Sequence, residues 1–125
     1  MWRTFLKMEI QNRKSLVEFY MDAFQELDHE KILSCLTDDI EWHIHGHKSL
    51  KGKLAFDAEI ENENFEGKPE INLIRLIEEH NIVVAEGTVL AKPKNSQPIL
   101  LAFCDIFEFR ETKICQLTSY LSSIN

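Results

Sequence analysis

Residues 99–109, "ILLAFCDIFEF", constrain the fold more than any other stretch of this chain. An extended segment sends successive side chains to opposite sides. Ile99, Leu101, Phe103, Asp105, Phe107 and Phe109 then share one side, and Leu100, Ala102, Cys104, Ile106 and Glu108 share the other. Both sides are mostly apolar, so a strand here must be covered front and back. One side also carries a carboxyl group between two phenylalanines. Burying a lone carboxylate is unfavourable, so Asp105 must hold a proton, find a partner or face a cavity. A strand face turned toward a second subunit, or a purely structural acceptor role for Asp105, meets the same constraint. Both alternatives stay open at this point.

The segments around this strand indicate the class of fold. "EINLIRLIEE" (70–79), "IVVAEGTVLAK" (82–92) and "KICQLTSYLSS" (113–123) also read as strands. Isoleucine enrichment, Pro69 before the first of them and "HN" after it favour strand over helix there. "PKNSQP" (93–98) is a loop, and "RET" is a tight link. Upstream, Leu16, Val17, Phe19, Tyr20, Ala23, Phe24 and Leu27 recur at helical spacing between Asn12 and Leu27. Asp28 suits the N-cap of a second, short helix carrying Ile32, Leu33 and Leu36. "IEWHIH" (40–45) alternates as a short strand closed by Gly46. "KLAFDAEIENENF" suggests a third helix with Leu54, Phe56 and Ile60 inward, broken by "EGKP" (66–69). The expected fold is α+β, with three helices packed on a curved, mainly antiparallel sheet of at least four strands.

Length and charge narrow the function classes. With 125 residues, the chain is expected to form one domain spanning 1–125. The 14 Lys and Arg against 21 Asp and Glu give a net charge of -7, and no basic cluster appears, so no nucleic-acid role is expected. The longest apolar run, "ILLAFC", is too short for a membrane span. "MWRTFLKMEIQNRKS" shows no signal-peptide pattern. Cys35, Cys104 and Cys115 have no CxxC spacing and read as reduced residues of a cytoplasmic protein.

Two further features carry possible chemistry. Tyr20 lies on the apolar stripe of the first helix, where its hydroxyl needs a partner; it is either a core residue or a second polar group of Asp105's cavity. In "DDIEWHIHGHKS" three histidines fall at alternate positions. Ile40, Trp42 and Ile44 share one face of that strand, and Glu41, His43 and His45 the other. The apolar face belongs inside, which sends His43 and His45 outward, and His47 lies beyond Gly46, where the alternation ends. This is strand geometry, and no metal site is expected.

The order of "LVEFYMDAFQELDHEKILSCLTDDIEWHIHG", then "KG" before a helix, then "CDIFEFRETKICQLTSYL" resembles the SnoaL-like and ketosteroid isomerase-like families of the nuclear transport factor 2-like superfamily. The resemblance covers nearly the whole chain and implies a cone: three helices on a strongly curved sheet around a pocket. By the same resemblance, Tyr20 matches a tyrosine that donates to an oxyanion, and Asp105 the protonated aspartate beside it. The base of the steroid isomerase falls at Ile44, which cannot accept a proton. SnoaL-type cyclases instead use a pocket acid as base, a role open to Asp105.

The resemblance thus implies a pocket for a small apolar or carbonyl-bearing ligand, with proton transfer next to the carbonyl if the protein is an enzyme. Asp105 and Tyr20 would be catalytic, and Trp42, Ile44, Phe24, Phe103, Phe107 and Leu117 would contact the ligand, with no cofactor. The alternative is a non-enzymatic ligand-binding or dimerisation module of the same fold. Leu100, Ala102 and Ile106 need cover on the outer face, so a homodimer through the sheet is expected. Asp105 should be desolvated rather than ion-paired, with its pKa raised.

Overall fold

The computed structural model describes residues 12–124; residues 1–11, within the stretch inspected for a signal peptide, and residue 125 lie outside the described residues. Helix α1 (Arg13–Gln25) starts at Asn12, whose side chain accepts a hydrogen bond from the Ser15 backbone N–H. Helix α2 (His29–Ser34) is capped in the same way by Asp28, which accepts from the Lys31 N–H. Strands β1 (Leu36–Ile44) and β2 (Lys48–Lys51) precede helix α3 (Lys53–Ile60). Strands β3 (Phe65–Glu79), β4 (Ile82–Pro93), β5 (Ile99–Arg110) and β6 (Lys113–Ser123) complete the chain. None of the described helices is long and apolar enough to cross a membrane.

The six strands form one curved, open sheet in the order β2-β1-β6-β5-β4-β3. Only the β1–β6 pairing is parallel. This brings β1, far from β6 in sequence, next to the strand that follows β5. The fold is therefore α+β with three helices among the described residues. The core lies between helices and sheet, around Val17, Ile32, Leu36, Ile40, Phe56, Val83, Phe107, Ile114 and Leu117.

Four sequence expectations need correction. Leu36, expected on the second helix, opens strand β1 instead, because that helix ends at Ser34. Strand β3 begins at Phe65, through "EGKP", and is not broken there. It is an edge strand, so Pro69 removes no ladder hydrogen bond that the sheet requires. A register shift between Glu66 and Glu70 accommodates the positive φ of Gly67. Strand β2 has no counterpart in the sequence reading. It is only four residues long, and Leu50 is its single apolar residue. Finally, Leu54 is 88% exposed, while Phe56 and Ile60 are buried. Phe56 and Ile60 are one helical turn apart, and Leu54 lies on the opposite side of α3.

One end of the molecule is tied shut. Arg13 donates to the backbone oxygens of His80 (3.0 Å) and Glu111 (3.1 Å), in the β3–β4 and β5–β6 turns. Its guanidinium also lies 5.4 Å from the centre of the Phe109 ring. Farther along the same helix, Gln25 accepts from the Ile71 N–H at 2.6 Å, holding the C-terminal half of α1 against β3. Between these ties, Tyr20, Met21 and Phe24 look into a cavity.

Candidate active site

The cavity measures about 330 Å³, at the small end of the range for ligand pockets. Its inner wall is largely apolar: Met21, Phe24, Trp42, Ile44, Ile71, Val89 and Phe103. The aromatic residues brace one another. Trp42 stacks on Phe56 at 4.6 Å and meets Phe24 edge-on at 6.3 Å. The Tyr20 ring contacts Phe24 (5.8 Å), Phe56 (6.5 Å) and Phe107 (5.3 Å). Phe103 reaches its place because its cross-strand partner is Gly87. A Cβ on Gly87 would clash with the Asn72 backbone oxygen and sit 2.7 Å from the Phe103 ring.

Three polar side chains interrupt this wall. Asp105 pairs with Ala85 on β4 and with Ser119 on β6. It is partly accessible, and that accessible part lies on the cavity wall. Burial disfavours its charged form and raises its pKa to about 7, although a hydrogen bond from the Ser119 hydroxyl acts in the opposite direction. Ser119 is itself buried and accepts a hydrogen bond from the Trp42 indole N–H at 2.9 Å. The three groups form a chain from Trp42 through Ser119 to Asp105. Tyr20 is 2% exposed, and its pKa is well above the ordinary value because of burial first and the nearby Asp105 charge second. Tyr20 lines the cavity, and a neutral phenol there is a hydrogen-bond donor.

The mouth differs. His47, Lys48, Glu59, Asn62 and Asn64 line it. Lys48 Nζ pairs with Glu59 Oε1 at 3.0 Å, and Asn62 Nδ2 donates to Glu59 Oε2 at 2.8 Å.

The structure gathers Tyr20, Phe24, Trp42, Ile44, Phe103 and Asp105 around one cavity. Phe107 and Leu117 do not reach it: both are fully buried one layer deeper, toward the closed end. Stepping from Phe103 to Phe107 along β5 moves the side chain beneath Tyr20, which covers it. The histidines separate. His43 lies 2.9 Å from Ser49 Oγ and 3.3 Å from the Glu41 carboxylate, and His45 stacks on the exposed Tyr120 at 4.4 Å. His47, past Gly46 where the alternation ends, reaches the cavity mouth. Among the described residues no cluster of three or more His, Cys, Asp and Glu side chains is arranged to hold a metal.

Sequence reading missed Ser119 and Glu59. The signal for Ser119 was present: by parity it falls between Leu117 and Leu121, as Asp105 falls between Phe103 and Phe107. Glu59 is one turn from the buried Phe56, so it shares the inward side of α3.

The sequence profile of the SnoaL-like domain matches residues 17–117. No curated protein sequence matches the chain. Solved structures share its fold at low identity. An LEH-like epoxide hydrolase of M. tuberculosis is 19% identical, with a TM-score of 0.75 over 86% of this chain and 80% of that one. TerC, co-crystallised with polyporic acid, is 18% identical, with a TM-score of 0.78 over 88% and 91%. A protein of Shewanella denitrificans OS-217 named as a SnoaL-like polyketide cyclase is 13% identical, with a TM-score of 0.78 over 88% and 90%.

Proposed function

We propose that this chain, which belongs to the SnoaL-like domain family, binds a small, largely apolar ligand by a carbonyl or phenol oxygen and moves a proton at the adjacent carbon. One observation carries the reading. A carboxyl group with a pKa near 7 and a buried tyrosine hydroxyl line one apolar cavity. Two neutral donors in a desolvated wall are suited to an oxygen that gains negative charge during reaction. Trp42, Ile44, Phe24 and Phe103 supply the surface for a flat apolar body. Ile44 cannot take a proton, so the steroid-isomerase arrangement of base and donors is not reproduced here. TerC, which shares this fold, was co-crystallised with the small molecule polyporic acid, which supports a small-molecule ligand for this cavity.

The test uses 2-naphthol, a flat phenol, with its fluorescence as readout. Tyr20→Phe and Asp105→Leu should each weaken binding by roughly ten- to a hundredfold, the loss expected for one strong hydrogen bond in a desolvated site. Equal affinity in wild type and both variants would contradict the reading.

Assembly belongs to the same proposal. Leu100 and Tyr120 are exposed on the outer side of β5 and β6, next to the partly buried Ala102 and Ile106. A second copy covers this face. Light scattering should give a dimer for the wild type and a monomer for Ala102→Arg; a wild-type monomer at high micromolar concentration would exclude the sheet-to-sheet dimer.

A further inference from the structure

A cavity that holds a carbonyl oxygen with two donors still needs a group to take the proton from carbon. Five titratable side chains line it: Tyr20, His47, Lys48, Glu59 and Asp105. Tyr20 and Asp105 are protonated donors in the reading above, and Lys48 is an ammonium engaged with Glu59. His47 is exposed at the mouth.

Glu59 has a different setting. Its side chain is 16% exposed, on the inward side of α3, one turn from the buried Phe56. Each carboxylate oxygen accepts one hydrogen bond, Oε1 from the Lys48 ammonium and Oε2 from the Asn62 amide. Both partners are donors only at those atoms, so the group they orient acts as an acceptor through both oxygens. Each oxygen keeps a further lone pair. A carboxylate oriented by neighbouring groups, on a cavity whose other carboxyl titrates near 7, suits acid–base chemistry near neutral pH.

We infer that Glu59 is the general base of this site, standing in for the proton acceptor that Ile44 cannot provide. The inference rests on the proposed binding of a carbonyl oxygen by Tyr20 and Asp105. In the step, a Glu59 oxygen takes a proton from the carbon next to the carbonyl. The C–H electron pair becomes the C=C bond of the enolate, and the carbonyl π electrons move onto the oxygen facing the two donors. Return of the proton from Glu59 to the same carbon regenerates the ketone; return to a conjugated carbon isomerises it. No electron is gained or lost. Glu59 is close enough to the mouth for its proton to exchange with solvent between the two transfers.

2-Tetralone and 2-naphthol separate the two claims, because 2-naphthol has the carbon skeleton and oxygen position of the tetralone enol but no proton to remove. Deuterium uptake by 2-tetralone in D2O, followed by proton NMR and corrected for the buffer rate, reports the base. Fluorescence of 2-naphthol reports the oxygen site and serves as the folding control. Glu59→Gln should lower protein-dependent exchange by about a hundredfold while 2-naphthol affinity stays within about threefold. Exchange that persists in Glu59→Gln overturns the assignment. So does a parallel loss of exchange and 2-naphthol binding, which would give Glu59 a structural role only. Wild-type protein saturated with 2-tetralone but without exchange also overturns it. Failure of the wild type to bind 2-naphthol, by contrast, removes the oxygen site on which the assignment rests.

Discussion

The inner wall of the cavity and its mouth each hold a carboxyl group, and the two have different surroundings. Inside, Asp105 has apolar rings along its strand, one hydrogen bond from Ser119 and no described cation beside it, and its pKa rises to about 7. At the mouth, Glu59 has an ammonium at 3.0 Å and an amide at 2.8 Å. Residue type is nearly the same; solvation and partners decide the chemistry. Under the proposed function, Asp105 would donate a proton and Glu59 would accept one.

Replacing Asp105 should have the largest effect. Below about 3.9 folded and unfolded chains both hold its proton; between about 3.9 and about 7 only the folded state does; above about 7 neither does. Its contribution to stability is therefore full at low pH and falls as pH rises through the folded pKa. Asp105→Asn removes that loss. Its melting temperature should exceed that of the wild type by an amount that grows from pH 5 to pH 8, reaching a few kcal/mol of stability. A gap that stays flat over this range, with the variant the less stable protein, would mean Asp105 is paired with a cation.

Tight packing of the inner wall gives the next effect. Gly87→Ala places a methyl group against the Phe103 ring and the Asn72 oxygen and should destabilise by about 1–3 kcal/mol in urea unfolding. An unchanged midpoint would show that Phe103 can move and that the wall is loose.

Ser119→Ala sharpens the comparison from within. Without the hydroxyl, Asp105 loses the one interaction that offsets its desolvation, and its titration midpoint should move further upward by about one pH unit. A downward shift would mean that the hydroxyl accepts from Asp105 instead of donating.

Lys48→Met, at the mouth, should have the smallest effect on folding, under about 1 kcal/mol, because a partly exposed ion pair contributes little. A larger loss would place the mouth among the desolvated regions and erase the contrast.

The inner wall was also the more legible half. Alternation along 99–109 isolates Asp105 between phenylalanines, and helical spacing places Tyr20 and Phe24 on one stripe. Both are local periodicities that the folded chain preserves. How far along the cavity a residue lies is not local. Phe107 and Leu117 share faces with wall residues yet are fully buried, Phe107 against the Tyr20 ring, because depth depends on where α1 crosses the sheet. Ser119 could have been found by the parity test applied to 99–109, since it is the polar residue between Leu117 and Leu121. His47 and Lys48 reach the mouth only through the turn that joins β1 to the short β2, a pairing with almost no hydrophobic signature. Glu59 needed the end of α3 to be known, because its amide partner Asn62 lies just past it.

The central claim is that desolvation keeps Asp105 protonated near neutrality beside Tyr20. Carbon-13 NMR of the aspartate carboxyl carbons across a pH titration, assigned by comparison with Asp105→Asn, measures it directly. The account predicts that the resonance missing from the variant titrates with a midpoint near 7. A midpoint in the ordinary carboxylate range, about 4 or below, would contradict it.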